Sequence, residues 1–227
     1  MNEATEVHAG AKQRGWLVYG FRQELMPPQI VFSTLANGMQ DRDSKICSGL
    51  SFLWCHGRLV GPMIDFQGRM RDSQLAREAA LLQQAAADQN PRTMADMEQA
   101  GFDRRAVLAG LACYPNDWKH STHSLPTKPI LDMCTGSSSP GRRVCFVSFL
   151  GRERDNPKEL NSLNCNWAHA IAFEANGPGL TLFDPNFGEF RASGAARPEM
   201  LDFIYGKTAY TYVQMKHIFI YRMRPIA

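Results

Sequence analysis

No apolar run in the 227-residue chain approaches the ~20 residues that a membrane-spanning helix needs. The opening stretch, MNEATEVHAGAKQRG, also has no apolar segment of the kind a secretory leader carries. The expectation is a soluble protein made without a cleavable export signal and without a transmembrane segment. Charge of one sign is scarce too, since 25 Lys and Arg stand against 22 Asp and Glu for a net +3. The basic residues are scattered in pairs such as Arg104–Arg105 and Arg142–Arg143, not gathered in a patch or stripe, so nucleic acid is not an expected partner.

The six cysteines (Cys47, Cys55, Cys113, Cys134, Cys145 and Cys165) contain no CxxC pair and have no companion histidines at zinc-finger spacing. With 44% hydrophobic residues the chain can build a core without disulfide staples, and reduced thiols are expected. His120 and His123 have a spacing that suits a metal but no third ligand near them, so neither a metal nor another cofactor is expected. There is no internal repeat, and Ser137–Ser139 is the one low-complexity spot.

What is present is the composition of one ordinary domain, with 21% charged residues. WLVYGF and QIVFSTL read as short extended segments. CSGLSFLWCH places Leu50, Leu53 and Trp54 at helical spacing, with Asp43 and Ser44 available as caps and Cys47 in the first turn. DSQLAREAALLQQAAADQ (72–89) is the strongest helix signal, followed by RTMADMEQAG (92–101) and DRRAVLAGLACY (103–114). After the Ser/Gly/Pro-rich loop CTGSSSPGRR the period changes to that of strands: VCFVSFL, NWAHAIAFEA, LTLFD and MKHIFIYRM, interrupted by one helical insert, RPEMLDFIYG. The predicted class is α+β. A single domain over 1–227 is expected, with a helical half at roughly 43–136, a mainly antiparallel sheet at 137–227, and a site in the cleft where the halves meet.

Three residues supply the roles of a thiol nucleophile mechanism. Cys47 opens an apolar helix, His169 lies on a strand, and Asp184 ends the next strand, with NGPG between them as a hairpin turn that brings the two strands together. A thiolate attacks a carbonyl, an imidazole moves the proton, and a carboxylate orients the imidazole and stabilises its charge. Unpaired N–H groups at a helix N-terminus favour the anion. Each residue alone has a plainer reading: a cysteine in a core, a histidine satisfied on a strand, an Asp-Pro-Asn turn. Asn186 is an alternative orienter, His56 faces away from Cys47 on the same helix, and Trp167 is close enough in sequence to His169 to screen it from water.

Taken in order, CSGLSFLW, NWAHAIAFE and LFDPNFGEF resemble the three catalytic blocks of the YopT/AvrPphB-type cysteine proteases, a papain-like family of bacterial effectors. The resemblance runs over roughly 43–190, and DPNFG with its preceding histidine is the specific part. It implies a papain-like fold, Cys47 as nucleophile, His169 as general acid/base and Asp184 as orienter. It also implies an oxyanion hole made by the cysteine N–H and an upstream amide. Here Asp41 and Arg42 occupy the nearer upstream positions, and Gln40 is the amide available. The implied function is cleavage of a specific protein, its peptide segment lying in the cleft, by a secreted effector acting in the cytosol of a host or target cell. Some members process themselves near the N-terminus, for which Gly10 and Gly15 are the possible new ends. Deamidation, transglutaminase-like chemistry or acyl transfer on the same triad is the alternative chemistry, and an inactive protein-binding module is the alternative of another class. The sequence names no secretion chaperone or inhibitor.

Overall fold

The computed structural model describes residues 3–27, 33–34, 40–41, 46–84, 102–103, 105–122, 124–135, 141–153, 165 and 167–226. The polar opening stretch folds as helix α1 (Glu3–Gln13), because Ala4, Val7 and Ala11 align on one face and are buried. Such a slight stripe does not stand out in the sequence. Strand β1 (Leu17–Gly20) follows, then a small ladder of β2 (Ser33–Thr34) and β3 (Gln40–Asp41). Helix α2 (Cys47–Leu59) and helix α3 (Ser73–Gln84) pack on each other. Asp72 caps α3, its Oδ1 accepting the N–H of Gln74 at 2.7 Å and of Leu75 at 3.4 Å. The remainder of the 72–89 run, the expected helix at 92–101, and most of QIVFSTL lie outside the described residues.

The helix expected over 103–114 is corrected by the structure. Helical residues end at 108, and Gly110 turns the chain at φ 70° with its N–H on Val107 O at 2.9 Å. Strand β4 (Leu111–Ser121) starts at the next residue, tolerating Pro115 because β4 is an edge strand whose register shifts between Cys113 and Trp118. Helix α4 (Thr127–Thr135) precedes the strands β5 (Arg143–Glu153), β6 (Trp167–Asn176), β7 (Gly179–Asp184) and β8 (Gly188–Ser193). Helix α5 (Ala196–Leu201) runs into a π-helical turn (Asp202–Thr208), and β9 (Val213–Pro225) ends the fold.

Seven strands form one antiparallel sheet in the order β1-β8-β7-β6-β5-β9-β4. Its two edges, β1 and β4, come from outside the 137–227 stretch expected to hold the sheet. Both faces are covered, which is why the strands read as near-continuous apolar runs. On β5, Val144 and Phe146 join the core shared with Leu50, Phe52 and Trp54 of α2, whereas Cys145, Val147 and Phe149 join the core shared with Val7 of α1, Ile130 of α4 and Met200 of α5. None of the six cysteines is in a disulfide. Among the described residues no helix is long and apolar enough to cross a membrane.

Candidate active site

The β6–β7 hairpin turns at Gly177 and Pro178, with Asn176 opposite Gly179 and Ala172 opposite Phe183. This register carries the end of β7 back toward the start of β6 and puts Asp184 diagonal to His169. His169 Nε2 and Asp184 Oδ1 are 3.0 Å apart, and both side chains are buried, Asp184 completely. Cys47 opens α2, is also buried, and hydrogen-bonds the His169 imidazole. With Nε2 turned to Asp184, Nδ1 is the ring nitrogen that serves the thiol.

Burial pulls the imidazole's pKa down, but the Asp184 charge and hydrogen bond, together with Cys47, outweigh it and hold His169 up at about 9. An imidazolium at neutral pH is what a thiolate needs beside it. Burial raises the other five thiols, Cys55, Cys113, Cys134, Cys145 and Cys165, with Cys113 and Cys134 pushed to about 11.

Asp184 is at once a turn former and the histidine's partner. Its Oδ1 accepts the N–H of Asn186 at 2.9 Å, and its backbone O accepts the N–H of Phe187 at 2.9 Å. Gly188 completes the block at φ 113°, where a Cβ would meet the carbonyl oxygen of Tyr19 on β1 at 2.2 Å. That close approach explains the glycine in DPNFG. The Asn186 side chain is hydrogen-bonded to groups other than His169. It donates through Nδ2 to Tyr210 Oη at 2.9 Å and accepts from Gln23.

The N-cap of α2, Ile46, makes no side-chain cap bond, and the expected caps Asp43 and Ser44 lie outside the described residues. Gln83 of α3 reaches the first turn, its Oε1 accepting the N–H of Ser48 at 3.0 Å and of Gly49 at 3.4 Å. Arg105 donates to Ser48 Oγ at 2.8 Å. The backbone of Gln40 pairs with Thr34 in the β2–β3 ladder, and its side chain is not among those described. The Trp167 ring lies 5.9 Å from that of His169. Trp54 is fully buried and stacks on Phe183. His120 bonds His217 at 3.1 Å, and among the described residues no three potential ligands gather for a metal.

Sequence reasoning did not single out Tyr205, Tyr210 or Gln83. Tyr205 Oη lies 3.1 Å from Asp184 Oδ2, and Tyr210 Oη lies 2.8 Å from His169 Nε2. Tyr205 sits in a run that reads as a simple helix, and Gln83 is one glutamine among several in an Ala/Gln-rich segment. No local pattern marks them.

A family model described as Yersinia/Haemophilus virulence surface antigen, the C58 peptidases, matches residues 29–220. No curated protein matches the chain. Among solved structures the chain is similar to that of the Pseudomonas avirulence protein AvrPphB, with a TM-score of 0.53 at 20% identity over 78% of this chain and 90% of that one. At this identity the likeness bears on the fold, which is that of a papain-like cysteine protease with an antiparallel sheet. The family model covers most of the chain, and the chain belongs to the C58 peptidases, the YopT/AvrPphB family.

Proposed function

We propose that the protein is a thiol endopeptidase, one papain-like domain that cleaves a specific protein through an acyl-enzyme. Cys47 is its nucleophile, His169 its general acid/base and Asp184 its orienter. The observation that carries this reading is the bonding of one imidazole on both sides, to Asp184 through Nε2 and to Cys47. The thiolate adds to the scissile carbonyl, and the imidazolium gives its proton to the leaving amine as the C–N bond breaks. Water then attacks the thioester, with the now neutral imidazole taking its proton and the thiolate leaving. The Cys47 N–H and the Gln40 side chain are the proposed oxyanion donors.

The wider role follows the family: a bacterial effector active on a protein of a host or target cell. The docking of α1 weighs against self-processing at Gly10 or Gly15. Either cut removes Val7 from the core and Glu3 from Tyr210.

The test is to alkylate the reduced protein with iodoacetamide from pH 4 to 9 and locate the label by mass spectrometry, with His169→Ala alongside. Rapid, selective labelling of Cys47 at acid pH that collapses in the variant is the expected result. Slow labelling shared among the six cysteines removes the enzyme reading and leaves a binding module. With a substrate in hand, ammonia release without chain scission identifies deamidation instead.

A further inference from the structure

Apart from His169, the Asp184 carboxylate is ringed by donors that carry no charge of their own. Oδ1 accepts the Asn186 N–H at 2.9 Å and lies 3.1 Å from Tyr210 Oη, while Oδ2 lies 3.1 Å from Tyr205 Oη and 3.2 Å from Tyr210 Oη. Tyr210 Oη also stands 2.8 Å from His169 Nε2, closer than Asp184 does, and receives Asn186 Nδ2–H at 2.9 Å. A phenol has one proton and two lone pairs. One assignment satisfies every contact: the proton goes to Asp184, one lone pair takes the amide of Asn186, and the other takes Nε2–H of His169, which is shared as a bifurcated donor with Asp184 Oδ1. The Asn186 oxygen is already occupied by Gln23, which sets the amide's orientation. Under this assignment Nε2 keeps its proton throughout, and Nδ1 alone exchanges with Cys47.

The backbone is bent to make this contact. Among the described residues Tyr210 is the one non-glycine residue in the left-handed region, at φ 57°. It follows a π-helical turn closed by Ala209 N–H on Ile204 O at 2.7 Å. Its own N–H is accepted by Glu3 of α1, and its carbonyl accepts Val213 N–H at 2.9 Å. Two uncommon conformations in succession stack the rings of Tyr205 and Tyr210, with centroids 6.1 Å apart and planes within 6°, so that both hydroxyls meet one carboxylate.

We propose that Tyr210 is a positioning residue of the catalytic machinery: its hydroxyl locks His169 in the Nε2–H form and holds Asp184 as the acceptor, with Tyr205 as the second phenolic donor. This rests on the thiol peptidase reading for its effect on Cys47. Among the described residues the titratable groups facing the His169–Asp184 pair are Cys47 from α2 and Tyr205 and Tyr210 from the π-helical turn and its end. Beyond them stand Glu3 on α1 and Tyr212, which feels the charges of Asp184, Glu3 and Glu153.

The experiment uses the full chain with Tyr210→Phe and Tyr205→Phe, following the pH profile of Cys47 alkylation, the thermal midpoint, and long-range 1H–15N spectra of His169. Tyr210→Phe is expected to stay folded and to slow Cys47 alkylation by about 10- to 100-fold, the worth of one hydrogen bond to a charged group. The acid limb of its profile moves to higher pH, because the thiolate–imidazolium pair loses one of the hydrogen bonds that hold it in place. Tyr205→Phe shifts the limb in the same direction but less, since it leaves the His169 contact in place. Two results overturn the proposal: a profile identical to that of the parent, or a fall in midpoint with the acid limb unmoved, which is the mark of packing alone.

If Cys47 in the parent reacts no faster than the other thiols, the peptidase reading falls separately. The spectra of the Cys47→Ala protein then decide Tyr210. Loss of the pure Nε2–H form on adding Tyr210→Phe sustains the positioning role, and unchanged spectra end it.

Discussion

Asp184 and Glu189 stand on either side of one turn and are both buried, yet they are held in opposite ways. Glu189 meets a cation: Arg58 Nη2 lies 2.8 Å from its Oε2, and Trp54 Nε1–H donates to the same oxygen at 3.0 Å. Arg58 reaches Glu174 as well, at 3.2 Å, and Arg142 bonds that carboxylate from the other side. Asp184 meets phenols, a backbone N–H and the imidazole. A guanidinium is a permanent cation, so an ion pair with one offsets a carboxylate's charge for good. A phenol stabilises the charge and leaves it in place, free to act on His169. The two ends of α2 follow the same division, with Arg58 near its C-terminus, where the helix dipole favours a cation, and Cys47 at its N-terminus, where it favours an anion. One end of the helix is pinned by ion pairs, and the other presents a thiol.

The contrast can be broken most severely at Asp184. Asp184→Asn keeps the shape and removes the charge, and turnover should fall by about 10³- to 10⁴-fold while the protein stays folded. A variant that loses stability instead of reactivity would make the two carboxylates alike. Next in size is Arg58→Ala, which strands Glu174 and Glu189 in the interior and should cost about 3–5 kcal/mol in urea unfolding. Cys47 alkylation per folded molecule should survive it, since the pinned end does no chemistry.

The pH dependence of stability sharpens the comparison further. His169 titrates near 9 when folded and near 6.5 when unfolded, so its contribution is fully present below about pH 6.5 and is lost as pH rises through 9. That contribution is on the order of 3 kcal/mol, and His169→Ala should flatten the stability profile across this window. Arg58→Ala should leave the slope unchanged. The smallest effect is expected from Gln83→Ala, which uncovers the first-turn N–H groups of α2 for about 1 kcal/mol. Hydrogen exchange at Ser48 and Gly49 would report it directly, and unaltered protection there would mean that another group caps the helix.

How much of this was legible varies by element. The strands β5, β6 and β7 and the helices α2 and α3 announce themselves because their periodicity and turn residues are local. Helix α1 does not, since two alanines and a valine make too small an apolar stripe. The 103–114 run fails at Gly110, where a residue compatible with a helix interior at modest cost instead ends the helix in the left-handed region. Gln83 and the tyrosine pair are invisible for a further reason: they act on residues far away along the chain.

By itself the sequence determined the α+β class, the order of the three blocks, and the pairing of His169 with Asp184 through a hairpin whose turn is written in NGPG. These depend on nearest neighbours and on the alternation of one strand, which a chain carries wherever it folds. Only the tertiary structure decided what surrounds Asp184. Tyr205 reaches it from a π-helical turn and Tyr210 from just beyond that turn, Glu3 holds Tyr210 from the opposite end of the chain, and Gln83 bonds the first turn of the helix that Cys47 opens from a neighbouring one. A hydrogen bond between distant segments has no period and no spacing, so it comes into being only when packing brings the two segments together.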